Sequence, residues 1–173
     1  MRIRTPLAAT AVLSLALGAA AAAPADTSRT ADRTFSGAGV GKVKVGKTFR
    51  SLRDAGLVGP MRRGCPLAQG TRSARLKAPL KGSVDLTTRR RPRRVRSIAL
   101  RGGATARGVG IGSTIAQISA AFPGAKVDRG TEETFGVTLV RVPKAAGGRF
   151  QFAVDVDTEK TTLIGIPVVP FCD

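Results

Sequence analysis

Apolar and polar positions recur along this chain with an offset of 66 residues. The residue pattern of segment 43–55 is repeated in segment 109–121. Valine, glycine, threonine and the apolar residues after them occupy equivalent positions in both. Further apolar pairs follow at the same offset: Val84 and Leu86 with Phe150 and Phe152, and Ile98 and Leu100 with Ile164 and Ile166. We therefore predict two copies of one structural unit, at 43–108 and 109–173.

Each unit is predicted to open with a short strand and a short helix. The strand follows from the alternation Val-x-Val-Gly or Val-x-Ile-Gly. Thr48 and Thr114 stand where a helix N-cap belongs, and Gln117 completes a capping box in the second unit. The first helix should end near Gly56, and Pro123 should stop the second.

Alternating residues after each helix predict antiparallel strands. The pattern Phe135-x-Val137-x-Leu139 predicts one strand, and 72–76 is its weaker counterpart. Two β-hairpins are predicted, one with its turn within 89–94 and one with its turn at 157–160. The fold class is therefore α+β: two tandem units of about 66 residues, each a short helix packed on an antiparallel β-meander, forming one compact domain.

This layout of an apolar strand residue, Gly-x-Thr and an amphipathic helix before a meander resembles the beta-lactamase inhibitory proteins. The Gly-x-Thr helix start is also similar to that of outer-membrane assembly lipoproteins of the SmpA and BamE type. The resemblance implies a helix-on-sheet fold, and an inhibitor or other protein-binding module that uses a concave sheet. The chain departs from those inhibitors because it has no Tyr or Trp to serve as an aromatic anchor.

The first residues have the pattern of an export signal. Two arginines within 1–4 precede an uncharged run at 7–23, which predicts a secretory signal peptide at 1–25, cleaved after Ala25. The alternative, an uncleaved anchor, is disfavoured because a spanning helix needs roughly 20 strongly apolar residues. We expect a secreted or envelope-associated protein, with a flexible polar leader at 26–42.

Cys65 and Cys172 are the two cysteines, and an even number in an exported chain predicts a disulfide between them. A reactive thiol or a metal site is disfavoured, since Cys65 has no CxxC partner and the chain has no His. We expect no metal and no cofactor.

Positive charge is concentrated in the first unit. Residues 43–108 contain 18 basic and 2 acidic side chains, whereas 109–173 contain 6 and 7. The densest cluster, which we predict to bind anions, comprises Arg89, Arg90, Arg91, Arg93, Arg94 and Arg96. The alternative is a solvated basic loop without a ligand. The equivalent turn of the second unit is acidic, with Asp155, Asp157 and Glu159.

The sequence favours binding over catalysis. Without His, no Ser-His-Asp triad can form. The glycine-rich stretch 101–112 lacks the Gly-Lys-Ser/Thr ending of a phosphate loop, and Asp155 and Asp157 are expected to be solvated rather than an acid/base pair. We expect a non-enzymatic protein that binds an anionic envelope or extracellular polymer. Sequence-specific nucleic-acid recognition is not expected, because the few Phe residues occupy core positions.

Overall fold

The computed structural model describes residues 33–66, 70–88, 91–143 and 148–171, and the predicted signal peptide lies outside these ranges. The strands, in chain order, are β1 (Phe35–Ser36), β2 (Gly39–Val40), β3 (Val43–Lys44), β4 (Val58–Arg63), β5 (Arg72–Leu76), β6 (Lys81–Leu86), β7 (Val95–Gly102), β8 (Thr105–Ala106), β9 (Val109–Gly110), β10 (Lys126–Asp128), β11 (Val137–Val142), β12 (Phe150–Asp155) and β13 (Thr161–Ile166). The helices are α1 (Phe49–Asp54), α2 (Ile115–Ala121) and α3 (Glu132–Phe135). Within the described ranges, no helix has the length and apolar character needed to cross a membrane.

Eight strands form one antiparallel sheet in the order β10-β11-β12-β13-β7-β6-β5-β4. Its two central strands, β7 and β13, pair with each other. Ala99 lies opposite Gly165, and the adjacent residues Leu100 and Ile164 also lie opposite each other. Small sheets of β1-β2-β3 and β8-β9 accompany it. The fold is therefore α+β with mostly antiparallel strands, as the sequence predicted.

Side-chain hydrogen bonds begin the two longer helices as predicted. The hydroxyl of Thr48 accepts a bond from the Ser51 amide at 3.2 Å. Thr114 and Gln117 form the full capping box, since each side chain accepts a bond from the other residue's amide. These bonds satisfy amide groups that helix geometry leaves without an intrahelical partner. Local sequence thus fixes both helix starts.

The main core lies between the helices and one face of the large sheet. Leu52 of α1 and Ile118 of α2 pack with the strand residues Val84, Ile98 and Ile164. Around them is an aromatic cluster, with neighbouring ring centroids 5.2 to 6.3 Å apart, formed by Phe35, Phe122, Phe150 and Phe152. We call the opposite face of the sheet the open face.

Residues 167–171, the C-terminal segment, cover part of the open face. The Val169 amide donates a hydrogen bond to Gln151 Oε1 at 2.9 Å, and the Val169 side chain packs with Leu139, Ala153 and Leu163. The ring of Phe171 stacks on Phe135, with centroids 4.2 Å apart. The segment therefore covers the open face over β11–β13.

The structure corrects two predictions. The expected leader 26–42 ends earlier than predicted, because Phe35 and Val40 are buried in strands. Phe135 is not in a strand, because Gly136, with a φ of 64°, ends the short helix α3 before β11 begins.

The register of β12 also differs from the prediction. Val84 lies opposite Ile98, whereas Phe152, not Phe150, lies opposite Ile164. The offset in this strand is therefore 68 residues rather than 66. In the β6–β7 hairpin, eight residues separate the last paired residues, Leu86 and Val95. In the β12–β13 hairpin, six residues separate the last pair.

Candidate functional site

The predicted arginine cluster lies at the hairpin that joins β6 to β7. Arg91, Arg93 and Arg94 belong to the connecting loop, and Arg96 is exposed on β7. Arg89 and Arg90 lie outside the described residues. The structure therefore brings the described members of the cluster to one end of the sheet.

Two of these arginines bind backbone carbonyls within the protein. Arg93 Nη1 donates to the carbonyl oxygens of Thr87 and Thr88, at 2.9 and 3.2 Å. Arg94 Nη1 donates to the Gly46 carbonyl at 2.9 Å, which links the hairpin loop to the turn before α1. Arg93 and Arg94 therefore contribute to loop structure. Among the described members of the cluster, Arg91, Arg94 and Arg96 are exposed and Arg93 is half-buried.

A second basic surface lies on the open face over β4–β7, where sequence analysis did not place a site. It is a shallow cleft of about 760 Å³, and we call it the open-face cleft. Its polar lining comprises Arg62, Ser73, Arg75, Lys81, Ser83 and Arg101. Among the described residues, its lining contains no acidic side chain.

Strand pairing brings these side chains together. Arg62 lies opposite Ser73, and Arg75 lies opposite Ser83. Their cations are spread over four strands, so no dense run marks them in the sequence. The one sequence signal for this surface was the alternation of polar and apolar residues in β5. Ser73 and Arg75 lie on the open face, and Ala74 between them is buried on the opposite face.

Cys65 lies near the C-terminal segment. It lines one cleft together with Arg96, Ser97 and the residues 167–170. No free cysteine occurs among the described residues. Cys172 lies outside them, so the disulfide between Cys65 and Cys172 stays a prediction.

The acidic turn of the second half lies between β12 and β13. Asp155 accepts hydrogen bonds from the Thr158 hydroxyl at 2.7 Å and from the Thr158 amide at 2.8 Å. These bonds lower the pKa of Asp155 below its ordinary value. Asp155 ends its strand and Asp157 follows in the turn, so the two do not alternate on one strand. The described residues contain no group of side chains suited to a metal ion.

Comparison with known proteins identifies no relative. No family model matches the chain, and neither a curated protein nor a solved structure does.

Proposed function

We propose that this chain is a secreted, non-enzymatic protein that binds an anionic envelope or extracellular polymer through its basic half, residues 43–108. The observation that carries the proposal is the placement of charge in the fold. The 18 basic side chains of this half include exposed cations at the β6–β7 hairpin, such as Arg91, and on the open face, such as Arg75. A polymer can contact cations at both places at once.

The two-unit interpretation supports a division of roles within the protein. The strand order proceeds inward from both edges of the large sheet, as β4 to β7 and as β10 to β13. The central pair Ala99 and Gly165 is separated by 66 residues, the offset of the sequence repeat. We propose a duplicated helix-and-sheet unit in which the first copy has become cationic and the second has retained a balanced charge.

Multiple weak contacts account for polymer binding better than one strong contact does. An exposed cation gains little from a single anion in water, because solvent and salt screen the pair. A linear polyanion bound along several cations releases its counterions, and affinity then falls steeply with added salt. Linked contacts also raise the local concentration of each further anionic group.

The hairpin arginines provide the test. We expect the triple variant R89S/R90S/R91S to lower the affinity of the mature protein for immobilised polyphosphate by about tenfold or more at low salt. Arg93 and Arg94 are left unchanged in this variant because they bind backbone carbonyls. The control, K126S/R149S/K160S, removes the same charge from exposed positions in the second half and should lower affinity less than about threefold.

The competing function is that of a protein-binding module or inhibitor. The observation that favours it is the extended antiparallel sheet, whose open face is not covered by the helices. A buried protein interface depends on apolar contact and resists salt, unlike polyanion binding. A discrete protein partner retained at high salt, with no binding to polyphosphate at low salt, would establish this function and refute the first.

A further inference from the structure

We propose that the open-face cleft is a binding site for a tetrahedral oxyanion, a phosphate or sulfate group. This inference rests on the proposed polyanion binding, and it adds a location and a ligand class to it. The site differs from the arginine cluster of the β6–β7 hairpin, since its side chains come from β4, β5, β6 and β7.

Like charges surround the cleft at close spacing. Arg75 lies opposite Ser83, so it is a diagonal neighbour of Lys81 across one strand pair and of Arg62 across the other. Diagonal neighbours on a sheet face are about 7 to 8 Å apart. Exposed cations at this spacing repel one another. Asp85, the other diagonal neighbour of Arg75 on β6, offsets part of this repulsion, and an anion bound between the cations relieves the rest. All three side chains belong to exposed residues.

Two small polar residues, Ser73 and Ser83, line the cleft beside the longer cationic side chains. The Ser73 hydroxyl donates to the Arg63 carbonyl at 3.3 Å, so its one proton is already used. Ser83 is therefore the hydroxyl we assign as a donor to the ligand.

The arrangement of donors favours a tetrahedral anion over a carboxylate. One guanidinium fork can satisfy both oxygens of a carboxylate in one plane. A phosphate or sulfate group presents oxygens in several directions and can accept bonds from several cations and a hydroxyl at once. Arg62, Arg75, Lys81 and Ser83 line the cleft and provide that set.

The C-terminal segment limits the site to one half of the open face. Over β11–β13 the segment covers an apolar patch of the face, in which Leu139, Ala153 and Leu163 pack with Val169. The segment passes so close to Gly165 that no side chain fits there. The segment therefore occupies the middle of the face over β11–β13 and leaves the cleft over β4–β7 accessible.

The test compares three polymers of equal charge by titration at low salt: polyphosphate, dextran sulfate and polyglutamate. We expect the wild-type protein to bind polyphosphate or dextran sulfate at least about tenfold more tightly than polyglutamate, and the tighter of the two identifies the source of the oxyanion. The double variant R75Q/K81Q should lose this preference. The control K42Q/R50Q removes one lysine and one arginine from exposed positions on the helix side of the sheet and should keep it.

A third variant tests the site without changing charge. We expect S83A to weaken binding to the preferred oxyanion polymer about threefold, with no change for polyglutamate. Thermal unfolding of each variant confirms that it is folded. Equal losses in R75Q/K81Q and K42Q/R50Q, or polyglutamate bound as tightly as both oxyanion polymers, would overturn the site while leaving polyanion binding intact. A wild-type protein that binds none of the three polymers would refute the proposed function itself.

Discussion

Gly165 shows how one residue determines the path of the C-terminal segment. A Cβ atom at this position would lie 2.2 Å from the backbone of Val168 and Val169, well below any normal contact distance. The contact is with main-chain atoms, which cannot rotate away as a flexible side chain can. Glycine at position 165 therefore permits the segment to pack directly on the central strand β13.

Replacing Gly165 with alanine should displace the segment from the sheet. We expect G165A to lower the free energy of unfolding by about 2 kcal/mol, the usual effect of overpacking. Urea unfolding measures the change, and limited proteolysis should show earlier cleavage within 167–171. G124A is the matched control, because no atom lies within 4 Å of a Cβ there. Unchanged stability in G165A would contradict the close packing.

Asp155 shows the effect of a local bond on ionisation. Its hydrogen bonds from Thr158 stabilise the charged carboxylate, so the folded protein holds the pKa of Asp155 below its unfolded value. Such a bond stabilises the fold above the unfolded pKa, and this contribution is lost as the pH falls through the folded pKa.

The substitution T158V should raise the pKa of Asp155 toward its ordinary value, because it removes the hydroxyl donor. NMR titration of the Asp155 carboxyl carbon measures the change directly. T162V, an exposed threonine on the neighbouring strand, should leave that pKa unchanged. A titration curve of Asp155 that is identical in T158V and the wild-type protein would show that the hydroxyl bond does not form in solution.

At the scale of elements, local signals predicted the helices better than the strand registers. Thr48 and Thr114 act within three residues of their partners, so the sequence alone located both helix starts. The position of β12 depends on loop lengths on both of its sides. Its hairpin with β13 has two residues fewer between the closing pair than the β6–β7 hairpin, which shifts Phe152 to the place expected for Phe150.

The sequence did not predict the open-face cleft, because the cleft also depends on strand register. Arg62 and Arg75 are 13 positions apart in the chain and become diagonal neighbours only through the register of β4 with β5. A bulge between Val58 and Met61 sets part of that register, and no local pattern predicted it. The hairpin arginines, in contrast, lie within the eight positions 89–96 and were visible as a cluster in the sequence. The sequence could not show that Arg93 and Arg94 bind carbonyls.

At the scale of the whole molecule, charge separates along the sheet as well as along the chain. Because β7 and β13 are antiparallel, with Ile98 opposite Ile166, the basic β6–β7 loop and the acidic β12–β13 loop lie at opposite ends of the sheet. A polyanion bound at the β6–β7 loop is therefore remote from the carboxylates of the β12–β13 loop. This separation favours binding in one orientation.

The predicted disulfide at the end of the C-terminal segment would also stabilise the whole fold. Pro170 and Cys65 line the same cleft, so the described end of the chain approaches the loop between β4 and β5. A bond from Cys65 to Cys172 would close a loop of about 107 residues. In the chain-entropy model, such a loop contributes roughly 4 to 5 kcal/mol by restricting the unfolded chain.

We therefore expect reduction with dithiothreitol to lower the free energy of unfolding by about 4 kcal/mol, measured by urea titration of the protein without the predicted signal peptide. The variant C65S/C172S should match the reduced protein and be insensitive to the reductant, which separates loss of the bond from other effects of reduction. The oxidised protein, denatured without reductant, should show no thiol that reacts with a maleimide. Two reactive thiols in that sample would contradict the disulfide and leave packing on β13 as the attachment of the segment.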